Sequence, residues 1–397
     1  MLRGLPREVG VLSAVAFAVA LGFGIVAPAI PVFAREFGVG RTAAGAVVSV
    51  FALLRFVSAP GCGRLVDRLG ERTVLATGLG AVAVSSALAG LAQTYWQLLV
   101  LRGAGGVGSA MFTVSAYSLL LRTAEPARRG RATGVFQGGF LVGGITGPAF
   151  GGLLTGASVR LPFFVYAGTL ALAGGIAVGA LARMGPPGPD GPAAAAGPQR
   201  TSLAQALRDR SYRAALLTNV GSGWALFGVR SSLIPLFVVE GLRRGPEWTG
   251  LGFLLGAAAQ AALLLPAGRF TDERGRRPAM VLGSSLATAS MLLLAVSAAL
   301  PGYALAMLMF GAGAAFLGVA PAAVVGDTVR GRGGSVVAAF QMASDLGAIS
   351  GPLVAGWLAD SVSFRAAFGS TAAVLAVGLV AAATMPRRPV GAREEPA

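Results

Sequence analysis

Gly63-Arg64-Leu65-Val66-Asp67-Arg68-Leu69-Gly70-Glu71-Arg72 returns 205 positions later as Gly268-Arg269-Phe270-Thr271-Asp272-Glu273-Arg274-Gly275-Arg276-Arg277. Each copy reads as a short charged turn between long apolar stretches. A turn that is duplicated at a fixed distance implies a duplicated half. In a membrane chain, a duplicated half implies a site between the two halves.

Composition places the chain in a membrane. Of 397 residues, 55% are hydrophobic and 12% charged. A soluble globular chain carries about twice that charged fraction. Apolar runs of roughly 20 residues, the length that crosses a bilayer, recur along most of the chain. Helices satisfy their own backbone groups in lipid, so the expected fold is all-helical. Sixty glycines fit close helix packing where water supplies no drive between helices. The lipid bilayer is therefore the first expected partner.

The net charge of +16 raises nucleic acid as a partner, but its distribution argues against one. The arginines stand singly or in small groups in short loops and do not form one basic face. All 32 basic residues are arginine, and there is no histidine. Histidine triads, imidazole metal sites and histidine proton relays are excluded, so no metal, cofactor or enzyme activity is expected. Cys62 cannot form an internal disulfide and reads as a packing residue.

The pattern predicts twelve transmembrane helices in two parallel-repeat six-helix bundles. The first six spans fall near 9–33, 42–62, 73–93, 96–121, 131–154 and 161–183. The second six fall near 213–238, 248–268, 278–299, 302–325, 334–357 and 364–385. The expected domains are an N-terminal bundle over 1–184, a cytoplasmic linker over 185–210, a C-terminal bundle over 211–385 and a cytoplasmic tail over 386–397. The linker is rich in Pro, Gly and Ala from Gly185 to Arg200, and Thr201 to Arg210 reads as a short interfacial helix. The terminal segments and even-numbered loops hold 23 arginines against six in the odd-numbered loops. Both termini are therefore expected in the cytoplasm, in a multi-pass protein of a bacterial inner membrane. Three arginines, Arg55, Arg102 and Arg230, fall inside predicted spans.

The repeat extends past the charged turn. Ile30-Pro31 matches Ile234-Pro235, and Gly106-x-Gly108 matches Gly311-x-Gly313. Phe136-Gln137, Gly143, Ile145, Gly147-Pro148 and Gly152 match Phe340-Gln341, Gly347, Ile349, Gly351-Pro352 and Gly356. An even number of spans separates the copies, so the halves are parallel repeats about an axis along the membrane normal.

On these residues the chain resembles the major facilitator superfamily over essentially its full length. The charged turn is similar to that family's motif A, and Arg102-Gly103 with Gly106 and Gly108 to its motif B. Gly134, Gly143, Gly147-Pro148 and Gly151-Gly152 resemble its motif C, the signature of the twelve-span drug–proton antiporter branch. The resemblance implies a proton-coupled exporter of a small organic molecule or drug, working by alternating access as a monomer, with drug resistance as its outcome. It also implies that motif A latches the halves on the cytoplasmic side through Gly63, Asp67, Arg68, Gly70, Arg72, Gly268, Asp272, Gly275, Arg276 and Arg277. Three departures stand out. Glu71 occupies a place where the family usually has a basic residue, Glu273 directly follows Asp272 in the second copy, and span 1 has no embedded acid.

The chemistry-bearing residues each carry two readings. Asp345 lies mid-span, opposite Leu141 in the repeat. A carboxylate at membrane depth costs several kcal/mol unless paired, neutral or wetted. It is either a proton-exchanging group or a polar contact between helices. Arg102 cannot release its proton. It either supports a charged neighbour or snorkels to the outer interface. Arg55 and Arg230 are candidate substrate contacts or partners of Asp345, and Trp224 is a candidate wall of the substrate cavity. The aromatics Phe227, Phe112 and Tyr117 are weaker candidates for the same wall. Gly143, Gly147 and Gly151 recur on one helical face, where tight packing seals a cavity. The rival readings are an importer of a small metabolite and a membrane receptor or scaffold without flux.

Overall fold

In the computed structural model, residues 6–123, 129–183, 202–328 and 334–386 are described. The predicted linker lies mostly outside them, as do Gly185 to Arg200 and the tail beyond 386. The described chain is helical. In order, α1 is Arg7–Val26, α2 Ala29–Glu36, α3 Arg41–Leu69, α4 Glu71–Gly90, α5 Tyr95–Thr123, α6 Arg129–Ala157 and α7 Leu161–Arg183. Then follow α8 Leu203–Ala206, α9 Arg210–Ser222, α10 Arg230–Leu236, α11 Glu247–Glu273, α12 Arg276–Val296, α13 Leu300–Thr328, α14 Gly334–Ser361 and α15 Phe364–Ala383. Among the described residues, 11 helices are long and apolar enough to cross a membrane. The twelfth long helix is α14, with 28 residues. It carries Gln341, Ser344, Asp345 and Ser350.

Spans 1 and 7 are both irregular, at different places in the repeat. Span 1 is α1 plus α2, broken at Ala27-Pro28. Span 7 is α9, a π-helical stretch Gly223–Val229, α10 with Pro235 inside it, and a second π stretch Phe237–Gly241. Proline removes a donor and crowds the preceding turn, so helices bend or break around it. Neither irregularity was predicted beyond the Ile-Pro match itself.

The charged repeat is not a turn along most of its length. Helix α3 runs to Leu69, so Gly63 to Leu69 are its last two turns and Gly63 does not close the span. One residue, Gly70 at φ +80, joins α3 to α4. In the second copy α11 runs to Glu273, and Gly275 at φ +98 leads into α12. Only glycine adopts this backbone freely, so one residue reverses the chain. The interfacial helix expected before span 7 is a single turn, α8, whose N-cap Ser202 accepts from the Gln205 amide. Span 7 itself starts at Arg210, capped by Asp209.

The chain divides into two compact units. One comprises Met1–Ala195 with Arg244–Leu251, and the other Ala196–Arg243 with Gly252–Ala397. In the first, α1 lies along α6, and α5 packs against α3 and α4. In the second, α12 packs against α13 and α15, while α9 and the first π stretch lie along α14. Tyr212 Oη donates to the Val336 carbonyl at 2.7 Å, and Asn219 Nδ2 to the Phe340 carbonyl at 2.6 Å. These bonds fix α9 on α14 without a charge. They suit a lipid setting, where polar side chains tie helices together.

Candidate transport site

In the first unit the α1–α6 seam is built on a ladder. Cβ atoms added at Gly139, Gly143, Gly147 and Gly151 would run into the backbones of Ser13, Phe17, Leu21 and Ile25 in turn. The steps are four residues on both helices, so the two backbones touch along one ridge. Gly24 answers from α1, against Pro148 Cδ at 2.6 Å. Of the predicted glycines, Gly143, Gly147 and Gly151 lie on this face. Gly152 lies on another and abuts Thr249 and Gly250, in the segment that clusters with this unit. Gly139 belongs to the ladder and was missed, although its four-residue spacing from Gly143 was there to read. Gly134 has no described surroundings.

Arg102 is the eighth residue of α5, and its side chain is only 3% exposed. It does not snorkel. Its guanidinium carbon sits 4.5 Å from the centre of the Phe51 ring of α3, and its Nε is buried without a hydrogen-bond partner. A Cβ at Gly106 would strike the Phe51 carbonyl, so α3 and α5 approach closely enough to place ring and cation together. Such a contact is worth about 2 kcal/mol when desolvated. Tyr166 of α7, 2% exposed, stands within electrostatic reach of both Arg102 and Arg55. Its role was not legible from sequence.

The second unit holds its own arginine. Arg230 begins α10, where the first π stretch ends, and its guanidinium carbon lies 4.9 Å from the centre of the Phe253 ring. π-Helical turns concentrate at functional sites. The side chain borders a cavity of about 10 Å³, which Gln260, Met307 and Phe310 also line. Tyr303, 2% exposed, is within electrostatic reach. Among the described residues no carboxylate lies within ion-pair distance of Arg102 or Arg230.

Asp345 is half-buried on α14, 11 residues from Gly334. That is about 16 Å along the helix. The adjacent Ser344 carbonyl presses on Gly223, and Gly347 packs against Val220 and Trp224. These contacts set Asp345 beside the start of the π stretch. Arg230 lies seven residues beyond Gly223, about 10 Å further along span 7, so the two are at different depths. Arg230 is not the partner of Asp345.

Trp224 sits in the core of the second unit, 9% exposed. Its Nε1 donates to Thr371 Oγ1 at 3.2 Å. Gly351 packs on its backbone, so it ties span 7 to α14 and α15. Phe112, 1% exposed, and Tyr117 pack against Phe140 and Phe136 respectively, whereas Phe227 is exposed. Trp224, the candidate cavity wall, thus packs within the core of the second unit.

At the second charged repeat, Arg276 gathers two acids. Its Nη1 lies 3.0 Å from Asp272 Oδ1 and donates to the Thr271 carbonyl at 2.8 Å; its Nε lies 3.0 Å from Asp327 Oδ2. Gly268 and Gly63 have open space around a would-be Cβ. Arg68 is exposed, and Arg72 and Arg277 are half-buried. The side chain of Asp67 lies outside the described residues.

Comparison with known proteins gives this arrangement a family. The chain is 33% identical over 153 residues to multidrug resistance protein 1 of Bacillus subtilis, an alignment covering 38% of this chain and 39% of that one. It is 27% identical over 168 residues to the quinolone resistance protein NorA of Staphylococcus aureus, covering 42% and 43%. The chain thus matches about two fifths of the length of these relatives. The crystal structure of a bacterial homologue of the human lysosomal transporter Spinster superposes with a TM-score of 0.75 over 95% of both chains, at 16% identity. That likeness concerns the fold. The description of the Major Facilitator Superfamily matches residues 12–259 and 245–397, and the chain, a multi-pass membrane protein, belongs to that superfamily.

Proposed function

We propose that this transporter exports a small organic molecule in exchange for protons, by alternating access between its two halves and with both termini in the cytoplasm. One observation carries the proton coupling. Among the described residues, Asp345 is the one carboxylate placed deep within a span; the others stand in the terminal turns or loops. A titratable group at membrane depth is costly and is retained where it serves a pathway. Substrate and protons that favour different states of one protein couple their movements through that equilibrium. The names of the two partial relatives support export, and the arginine asymmetry between loops supports the orientation.

The test is flux in everted membrane vesicles energised by a proton gradient, with a panel of antibacterial compounds. Wild-type vesicles should accumulate at least one compound, and Asp345→Asn vesicles none, at equal expression. Proton-driven flux that survives in Asp345→Asn would remove Asp345 from coupling. Accumulation by intact cells that tracks expression would reverse the direction.

A further inference from the structure

In the second unit a half-buried arginine and a buried glutamine face one small cavity and make no hydrogen bond among the described residues. Arg230 offers five N–H donors. Gln260 is 7% exposed and lines the same cavity. Among the described residues, no acceptor lies within hydrogen-bond distance of the Arg230 guanidinium, and Gln260 makes no side-chain hydrogen bond. Native proteins rarely leave a buried amide such as that of Gln260 without a partner. Phe253 supplies only its ring face to the cation. A structural arginine would reach backbone carbonyls or a carboxylate, and this one reaches neither. The site is therefore built for an acceptor that arrives from outside the chain.

The cavity limits what that acceptor is. Its volume of about 10 Å³ admits one water-sized atom. A carboxylate oxygen has that size. One guanidinium balances one negative charge, and the cavity has no second cation to hold a dianion. The rest of the lining is Phe253, Met307, Phe310, Ala314 and glycines, so an entering oxygen meets hydrocarbon on its other sides and the body that carries it stays outside the cavity. We propose that Arg230 and Gln260 form a receptor for the carboxylate of an apolar organic monoanion. One carboxylate oxygen enters the cavity and accepts from the guanidinium and the Gln260 amide. This inference rests on the reading of the chain as a transporter of small organic molecules and names their class.

The test measures binding and needs no flux. The full chain in detergent is titrated by calorimetry with 1-naphthoate and with the isosteric neutral 1-naphthamide. The acid should bind at least tenfold tighter than the amide. Arg230→Gln should abolish that preference while leaving amide binding in place, which also reports that the variant is folded. Gln260→Leu should reduce acid affinity severalfold, and it serves as the second variant if Arg230→Gln does not fold. Equal affinities for acid and amide, no binding of the acid, or an acid preference that survives in Arg230→Gln would overturn the proposal. If vesicle flux fails while the acid preference holds, the export reading is lost and this one stands. If flux is present without an acid preference, the reverse is true.

Discussion

Arg276, the first residue of α12, grips Asp327 near the end of α13, with Nε 3.0 Å from Oδ2 and Nη2 3.5 Å from Oδ1. Subtracting the 205-residue repeat from each gives Glu71 and Arg122. The first half thus carries the same pair of positions with the charges exchanged. This accounts for Glu71, an acid where the family usually has a base. Glu71 is buried at 7% exposure and accepts from Ser118 Oγ at 3.3 Å. The side chain of Arg122 lies outside the described residues.

Charge exchange is directly testable. By the repeat, Glu71→Arg alone should set two cations opposite each other, and breaking a buried pair costs about 3–5 kcal/mol. Glu71→Arg with Arg122→Asp should recover most of the lost thermal stability in detergent. A double variant no more stable than the single one would separate the two residues.

The glycine ladder makes a sharp contrast on one helix. Gly147→Ala places a methyl 2.8 Å from Gly24 Cα, whereas Gly144 has nothing within 4 Å. Gly147→Ala should destabilise by about 1–3 kcal/mol through overpacking, and Gly147→Leu by more. Gly144→Ala should be neutral or slightly stabilising, because alanine loses less backbone freedom in a helix. Equal melting temperatures for the two alanine variants would mean that the α1–α6 seam is loose.

The motif A glycines divide in the same way. Gly70 and Gly275 have φ of +80 and +98, and a side chain there costs about 1–3 kcal/mol. Gly70→Ala and Gly275→Ala should therefore lower stability. Gly63→Ala and Gly268→Ala should not, since open space surrounds both positions. Transport lost in Gly63→Ala at unchanged stability would assign that residue to the latch. Asp67→Asn tests the same latch, and should shift inter-bundle distances at the cytoplasmic face as measured by paired spin labels.

Trp224 donates to Thr371 inside the core of the second unit. Thr371→Val leaves a buried N–H without a partner and should cost about 1–3 kcal/mol. If Trp224 instead contacted substrate, this variant would change apparent affinity with no change in stability.

Much of the fold was legible in the sequence, because the bilayer restricts the choices. Apolar length fixes the spans. A fixed repeat makes each half a check on the other. Gly143, Gly147 and Gly151 were readable as one packing face because helical period alone decides it. The helix through motif A was hidden, because charge ends an apolar run without ending a helix. The π stretches were hidden too, since they follow from how span 7 meets α14 and no residue type marks them. The core packing of Trp224 was not legible, because an aromatic in a span looks alike facing core, lipid or cleft.

The sequence by itself determined the number of long helices, their duplication, the family and the depth of Asp345, all of which depend on spacing and polarity along one line. The tertiary structure alone decided that Arg102 is buried over Phe51, that Arg276 holds Asp327, and that Arg230 and Gln260 share a cavity. Each of these joins residues from different helices. Which face a helix turns to its neighbour depends on the packing of both, and the periodicity of either one leaves that open.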